Sequence, residues 1–254
     1  MKHLKTFWNY YGGKWRAALR YPPPYHDVVV EPFAGAAGYS LRHYRKKVIL
    51  IDKDPVIYGI WNYLIRVQPE EIMALPDTVV EDVDEIDAPQ EARWLIGFLL
   101  NAGSSAPCRQ PSKWMREKVA SSEPFAEFWG PKRKQRIASQ VSKIKHWKVI
   151  HGTYSDAPNI EATWFVDPPY QNAGRFYACD SGGIDFQHLG SWCQGRKGQV
   201  IVCENEGADW LPFEPFHAIK ATHGSTRKGV SMEVIWTKGC EIPGSEVFFP
   251  GGLD

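Results

Sequence analysis

Two short runs, Val28-Val29-Val30 and Val48-Ile49-Leu50-Ile51, are apolar at every position, and each is followed by an acid, Glu31 and Asp52. A strand with one wet face alternates polar and apolar residues. A run apolar throughout is covered on both faces, as in a parallel sheet with helices on each side. The stretches Ser40–Tyr44 and Val56–Ile65 carry helical periodicity and supply the crossovers of a βαβ pattern. Strands return after residue 148: Val149-Ile150, Thr163-Trp164-Phe165-Val166 and Gln199–Cys203. A last pair, His217–Thr222 and Ser231–Thr237, flanks Gly224 and Gly229 and reads as a hairpin.

Residues 67–148 have another character. Eight acids and no Lys or Arg lie between Val67 and Gln90, and eleven bases against three acids lie between Asn101 and Ile150. The segment shows helical patterning at 91–100, 113–120 and 132–144 and no strong strand, so it reads as a mostly helical insert. Its basic part suits a polyanion or a solvated helical face.

With 254 residues, 43% hydrophobic and 23% charged, the chain is long enough to bury a core without disulfides or metal. The five cysteines form no CxxC and the eight histidines no HExxH, so the expectation is reduced thiols and no metal site. No apolar run approaches the ~18 residues of a membrane helix. The first residues lack an apolar stretch of secretory type, which points to the cytoplasm.

Four elements carry chemistry. Asp167-Pro168-Pro169-Tyr170 directly follows an apolar strand, and two prolines end its ladder. Ligands bind at the carboxyl ends of strands in open α/β sheets. A carboxylate, a rigid carbonyl and an aromatic face together suit a planar base with an exocyclic amino group. Glu31-Pro32-Phe33-Ala34-Gly35-Ala36-Ala37-Gly38 follows the first strand, and its small residues let backbone approach a ligand. Asp52 ends the second strand, where an acid can hold ribose hydroxyls, and Asp54 before Pro55 is the better helix cap. Tyr10-Tyr11-Gly12-Gly13-Lys14 is no P-loop, yet its lysine can meet a carboxylate.

Taken in order, these elements resemble the Dam-like DNA adenine N6-methyltransferases, especially small phage-type members. The resemblance covers about residues 7–66 and 149–240. It implies a Rossmann-like α/β methyltransferase fold in residues 1–66 and 149–254, with a seven-stranded, mostly parallel sheet and an antiparallel terminal hairpin. Residues 67–148 would be an inserted helical target-recognition domain. The cofactor implied is S-adenosylmethionine (SAM), and the partner is double-stranded DNA, in a bacterial cell or a phage-infected host, with the protein a monomer or weak dimer.

The same resemblance assigns roles. Tyr10, Lys14, Glu31, Phe33, Ala34, Gly35, Asp52, Lys53, Tyr154 and Asp167 would contact the cofactor, Lys14 through its carboxylate and Asp52 through its ribose. Asp167, Pro168, Pro169 and Tyr170 would hold a flipped adenine. Arg109, Lys113, Arg116, Lys132, Arg133, Lys134 and Arg136 of the insert, with Arg227 and Lys228 of the hairpin, would face DNA. One element departs from the family pattern: an aspartate expected shortly before the Asp-Pro-Pro-Tyr loop is Thr153, with Asp156 nearby. Three alternatives stand beside this reading. They are an N4-cytosine enzyme, a C5-cytosine enzyme using Cys108, and a DNA binder with a vestigial cofactor pocket.

Overall fold

The computed structural model describes residues 3–79, 81–101, 105–120, 128–172, 183–220 and 230–240. Its strands are β1 (Val28–Glu31), β2 (Lys47–Asp52), β3 (Lys148–His151), β4 (Ala162–Val166), β5 (Gly198–Asn205), β6 (Glu214–Lys220) and β7 (Val230–Lys238). They form one sheet in the order β3-β2-β1-β4-β5-β7-β6. The first five run parallel, while β7 is antiparallel to both β5 and β6. This is the expected Rossmann-like α/β fold, in which β7 inserts between β5 and β6.

Side chains alternate across the sheet as the pleat requires. Val29, Leu50, Phe165, Ile201 and Cys203 enter one apolar core, and Val30, Ile51, Trp164, Val166, Val200 and Val202 enter the other. Helices α1 (Gly38–Arg42) and α2 (Pro55–Arg66) cover the first face, and α7 (Phe186–Gln194) covers the second. In α2, Asp54 caps the start by accepting from the Val56 N–H at 2.8 Å, with Pro55 in the first turn. The helix buries Ile57, Ile60, Trp61 and Leu64 at helical spacing.

The insert is helical: α3 (Pro69–Ala74), α4 (Gln90–Leu100), α5 (Lys113–Ala120) and α6 (Pro131–Val141). Among the described residues it shares the core of the sheet. Leu75, Leu95, Phe98, Leu99, Ile137 and Val141 join the cluster that contains Val29, Leu50 and Trp61. It also grips the N-terminal segment. The Lys5 N–H donates to Gln140 Oε1 at 2.7 Å, Gln140 Nε2 returns a bond to the Lys5 carbonyl at 3.1 Å, and Arg133 Nη2 donates to the Phe7 carbonyl at 3.1 Å.

Gly38 is where that segment meets the sheet's first crossover. A Cβ there would lie 2.5 Å from the Trp15 nitrogen and 2.9 Å from the Lys14 carbonyl carbon, both backbone atoms. Alanine at 38 must therefore push the 14–15 backbone off α1. Gly38→Ala is expected to cost about 1–3 kcal/mol, as overpacking does, read as a lower urea midpoint at unchanged slope.

Candidate functional site

The register of β1 against β4 pairs Val30 with Trp164, so Glu31 stands level with Phe165 and Asp167 follows two residues further along, just past the end of β4. A cleft opens at these strand ends. Its wall includes Tyr10, Lys14, Glu31, Phe33, Ala34, Gly35, Asp52, Lys53, Tyr154, Asp167 and Pro169. The structure thus brings together all ten residues assigned to the cofactor.

The loop after β1 is shaped by backbone. Gly35 has φ +42°, and a Cβ there would stand 3.2 Å from the Tyr10 ring, so the position is fitted to glycine on both counts. Ala37 holds φ +48° without being glycine, a strained conformation of the kind concentrated at functional loops. Asp52 fixes this loop by accepting from the Gly35 N–H at 3.0 Å and from the Asp54 N–H at 2.9 Å. Its carboxylate is therefore engaged on both oxygens, with lone pairs left for a ligand hydroxyl. Burial pushes its pKa up to about 6.

Phe33 and Tyr154 stack at 5.6 Å on one side of the cleft, and Tyr154 Oη meets His188 Nδ1 at 2.7 Å. The Thr153 departure has a local explanation. Asp156 accepts from the Thr153 N–H at 2.7 Å and its Oγ1 at 2.9 Å, and it caps the short turn at 154–156. Asp156 is not on the cleft wall, so it does not replace the family aspartate there.

At the deep end the acids crowd one lysine. Lys14 Nζ lies 2.9 Å from Asp167 Oδ1, 3.7 Å from Glu233 Oε1 and 4.8 Å from the Tyr170 ring centre, and it donates to the Gly12 carbonyl at 3.1 Å. Lys14 therefore pairs with Asp167 and covers the face of Tyr170. This differs from the expectation of two separate jobs, a cofactor carboxylate for Lys14 and a target amine for Asp167. Burial raises the Asp167 pKa, with Lys14 opposing the rise. Glu31 is 3% exposed, and burial lifts its pKa to about 8, although the Ser40 N–H donates to it at 2.6 Å. Pro168 is buried, and Pro169 lines the wall.

Sequence reasoning missed three members of this network. Glu233 on β7 accepts from Tyr170 Oη at 3.1 Å and from Tyr21 Oη at 2.8 Å. Glu204, at the end of β5, accepts from the Gln171 N–H at 3.1 Å and from Trp210 Nε1 at 3.2 Å, and burial lifts its pKa to about 7. Of Glu233, Tyr21 and Glu204, only Glu204 carried a local signal, as the acid that ends an apolar run.

The basic residues of the insert divide. Arg133 and Lys134 are corrected, because neither offers its charge to solvent. Arg133 is 1% exposed and holds the Phe7 carbonyl. Lys134 is 5% exposed, donates to the Leu75 carbonyl at 2.7 Å and pairs with Asp77. Arg136 is half-buried, while Lys113, Arg116 and Lys132 are exposed. Arg109 is exposed and pairs with Asp82 at 2.8 Å and Asp84 at 3.0 Å. Arg227 and Lys228 lie outside the described residues. No group of three metal-ligating side chains occurs among the described residues, and none of their helices is long and apolar enough to cross a membrane.

No protein-family model matches the chain, and no curated protein matches it. Among solved structures, it resembles a "conserved hypothetical protein" of Streptococcus pyogenes at 8% identity and TM-score 0.34, over 83% of this chain and 84% of that one. It also resembles an Escherichia coli protein, yhhF, named only provisionally as a methyltransferase. That match has 8% identity and TM-score 0.35 over 84% and 76% of the two chains. A provisionally named methylase of Haemophilus influenzae gives 9% identity and TM-score 0.32 over 84% and 80%. Likeness this remote carries no argument about activity, and the fold rests on the sheet order and strand directions.

Glu31 makes stability fall with pH. The unfolded chain ionises it near 4.5 and the folded chain near 8. Between those values the folded state holds the extra proton, so stability drops as pH rises, by about 1.4 kcal/mol per unit of pKa difference. Glu31→Gln keeps a side-chain acceptor for Ser40 and removes the ionisation. Melting temperatures of the variant are expected to flatten between pH 5 and 8 relative to wild type.

Proposed function

We propose that the protein is a SAM-dependent DNA adenine N6-methyltransferase. The observation that carries the reading is the position of Asp167 at the floor of a cleft rimmed by Gly35 and Asp52, with Tyr170 behind it. The cleft fits the cofactor. Asp52 suits ribose hydroxyls, and Gly35 leaves room for a ligand against backbone. When bound, SAM supplies an electrophilic methyl group.

The adenine amino lone pair is delocalised into the ring and is a weak nucleophile. Asp167 would accept one amino N–H, and the backbone carbonyl of Pro168 the other, which favours a tetrahedral nitrogen. The nitrogen would then take the methyl carbon as that carbon's bond to sulfur breaks, the electron pair staying on sulfur. The nitrogen gives up one proton, and Asp167 is the nearest acceptor, its basicity raised by burial. Orientation and electrostatics carry the rate. The base leaves the duplex to reach the cleft, and Tyr170 offers it a stacking face worth about 1–3 kcal/mol.

The exposed bases Lys113, Arg116 and Lys132 are the insert's proposed phosphate contacts, which position DNA without specifying sequence. Replacing all three with alanine is expected to weaken binding across sequences and to reduce the salt slope by about three. The reaction is tested by incubating unmethylated DNA with protein and SAM, then analysing nucleosides by mass spectrometry. N6-methyladenine is the expected product, with Asp167→Ala lowering it at least about 100-fold at little cost in DNA affinity. N4-methylcytosine would change the base assigned. Undiminished turnover by Asp167→Ala would overturn the mechanism.

A further inference from the structure

We infer that Glu233 is a positioning residue of this site: it holds the Tyr170 ring in place and receives the Lys14 ammonium when a substrate amino group takes Asp167. The inference rests on the transfer reaction proposed above. It starts from a conflict in the geometry. Lys14 stands on Asp167 at 2.9 Å and over the Tyr170 ring at 4.8 Å. A target base needs both, the carboxylate for its amino group and the ring face for stacking. Lys14 must therefore move before the base is seated.

It cannot move into an apolar wall. Lys14 is 6% exposed, and a buried ammonium stripped of its partner is strongly unfavourable. Glu233 is the second carboxylate, with Oε1 only 3.7 Å from Nζ. It is itself 2% exposed and anchored, since Tyr21 Oη donates to Oε2 at 2.8 Å and Tyr170 Oη to Oε1 at 3.1 Å. Tyr21 in turn is wedged between Phe165 and Phe216, at ring distances of 5.1 and 4.8 Å. The berth for Lys14 thus exists before any ligand arrives.

Two substitutions separate charge from anchoring. Glu233→Gln keeps an oxygen for one tyrosine and removes the charge that receives Lys14. Tyr21→Phe keeps the charge and removes one anchor, and it carries the test alone if glutamine at 233 does not fold. Both are assayed for kcat, for KM toward an oligonucleotide substrate, for SAM affinity by calorimetry, and for base capture by the fluorescence of 2-aminopurine at the target position. Expected for Glu233→Gln are a kcat about 10–100-fold lower, a changed 2-aminopurine signal, and SAM affinity within about threefold of wild type. Tyr21→Phe should lower kcat by about 3–10-fold with the same SAM affinity. A folded Glu233→Gln protein with wild-type kcat and 2-aminopurine signal would overturn the inference. So would parallel loss of SAM affinity and kcat, since that marks a general structural role. Wild-type protein that binds SAM and methylates no DNA would overturn the transfer reading, and with it the positioning role of Glu233.

Discussion

One ammonium, that of Lys14, stands among more buried carboxylates than it can neutralise. Asp167 and Glu233 touch or nearly touch it, and Glu31 and Glu204 lie at neighbouring strand ends, each with its pKa raised by burial. A fold gains nothing in stability from this. Desolvated acids cost free energy, and a single cation offsets only part of it. A cluster of perturbed groups inside a cleft is a candidate functional site. The acids of the cluster come from β7 and from the ends of β1, β4 and β5, so sheet topology sets where they lie.

Much of the fold was legible because parallel strands write themselves plainly. β1, β2, β4 and the inner part of β5 are apolar runs, and each turns polar where the sheet's edge is reached, at Glu31, Asp52, Asp167 and Glu204. Much of the cleft wall was legible for the same reason, since Glu31, Phe33, Ala34, Gly35, Asp52, Lys53 and Asp167 lie at or just past those ends, whereas Tyr10 and Lys14 do not. Glu233 and Tyr21 were not legible, because they meet across 212 residues of chain and no local pattern records such a meeting. Their bond depends on β7 entering between β5 and β6, which periodicity does not specify.

The insert shows a different kind of miss. Lys132, Arg133, Lys134 and Arg136 look like one basic patch when read as a string. A helix spreads them around its axis at 3.6 residues per turn. Ile137 and Val141 define the buried face of α6, and positions 133 and 134 lie four and three residues before Ile137, on that same face. The signal was present in the spacing, and the count of charges obscured it. Arg133 and Lys134 are then accommodated by backbone carbonyls of Phe7 and Leu75 and by Asp77.

Those buried charges connect the insert to the cleft. Arg133 holds Phe7, and Gln140 holds both backbone polar groups of Lys5. The chain they clamp runs on through Tyr10, whose ring crosses Gly35, to Lys14, whose backbone lies against Gly38. Trp61 Nε1 donates to the Gly35 carbonyl at 2.8 Å from the opposite side, and the Trp61 ring packs on Phe7 and Trp8 at 5.8 and 5.1 Å. The segment bearing Lys14 is thus bounded by α6 at one end and by the β1 loop at the other. The insert that shares the sheet's core is on these grounds a brace for the site as well as a surface. The insert holds this segment at Lys5 and Phe7, upstream of Lys14, and in the proposed exchange the motion falls to the Lys14 side chain, with Glu233 Oε1 3.7 Å from its Nζ.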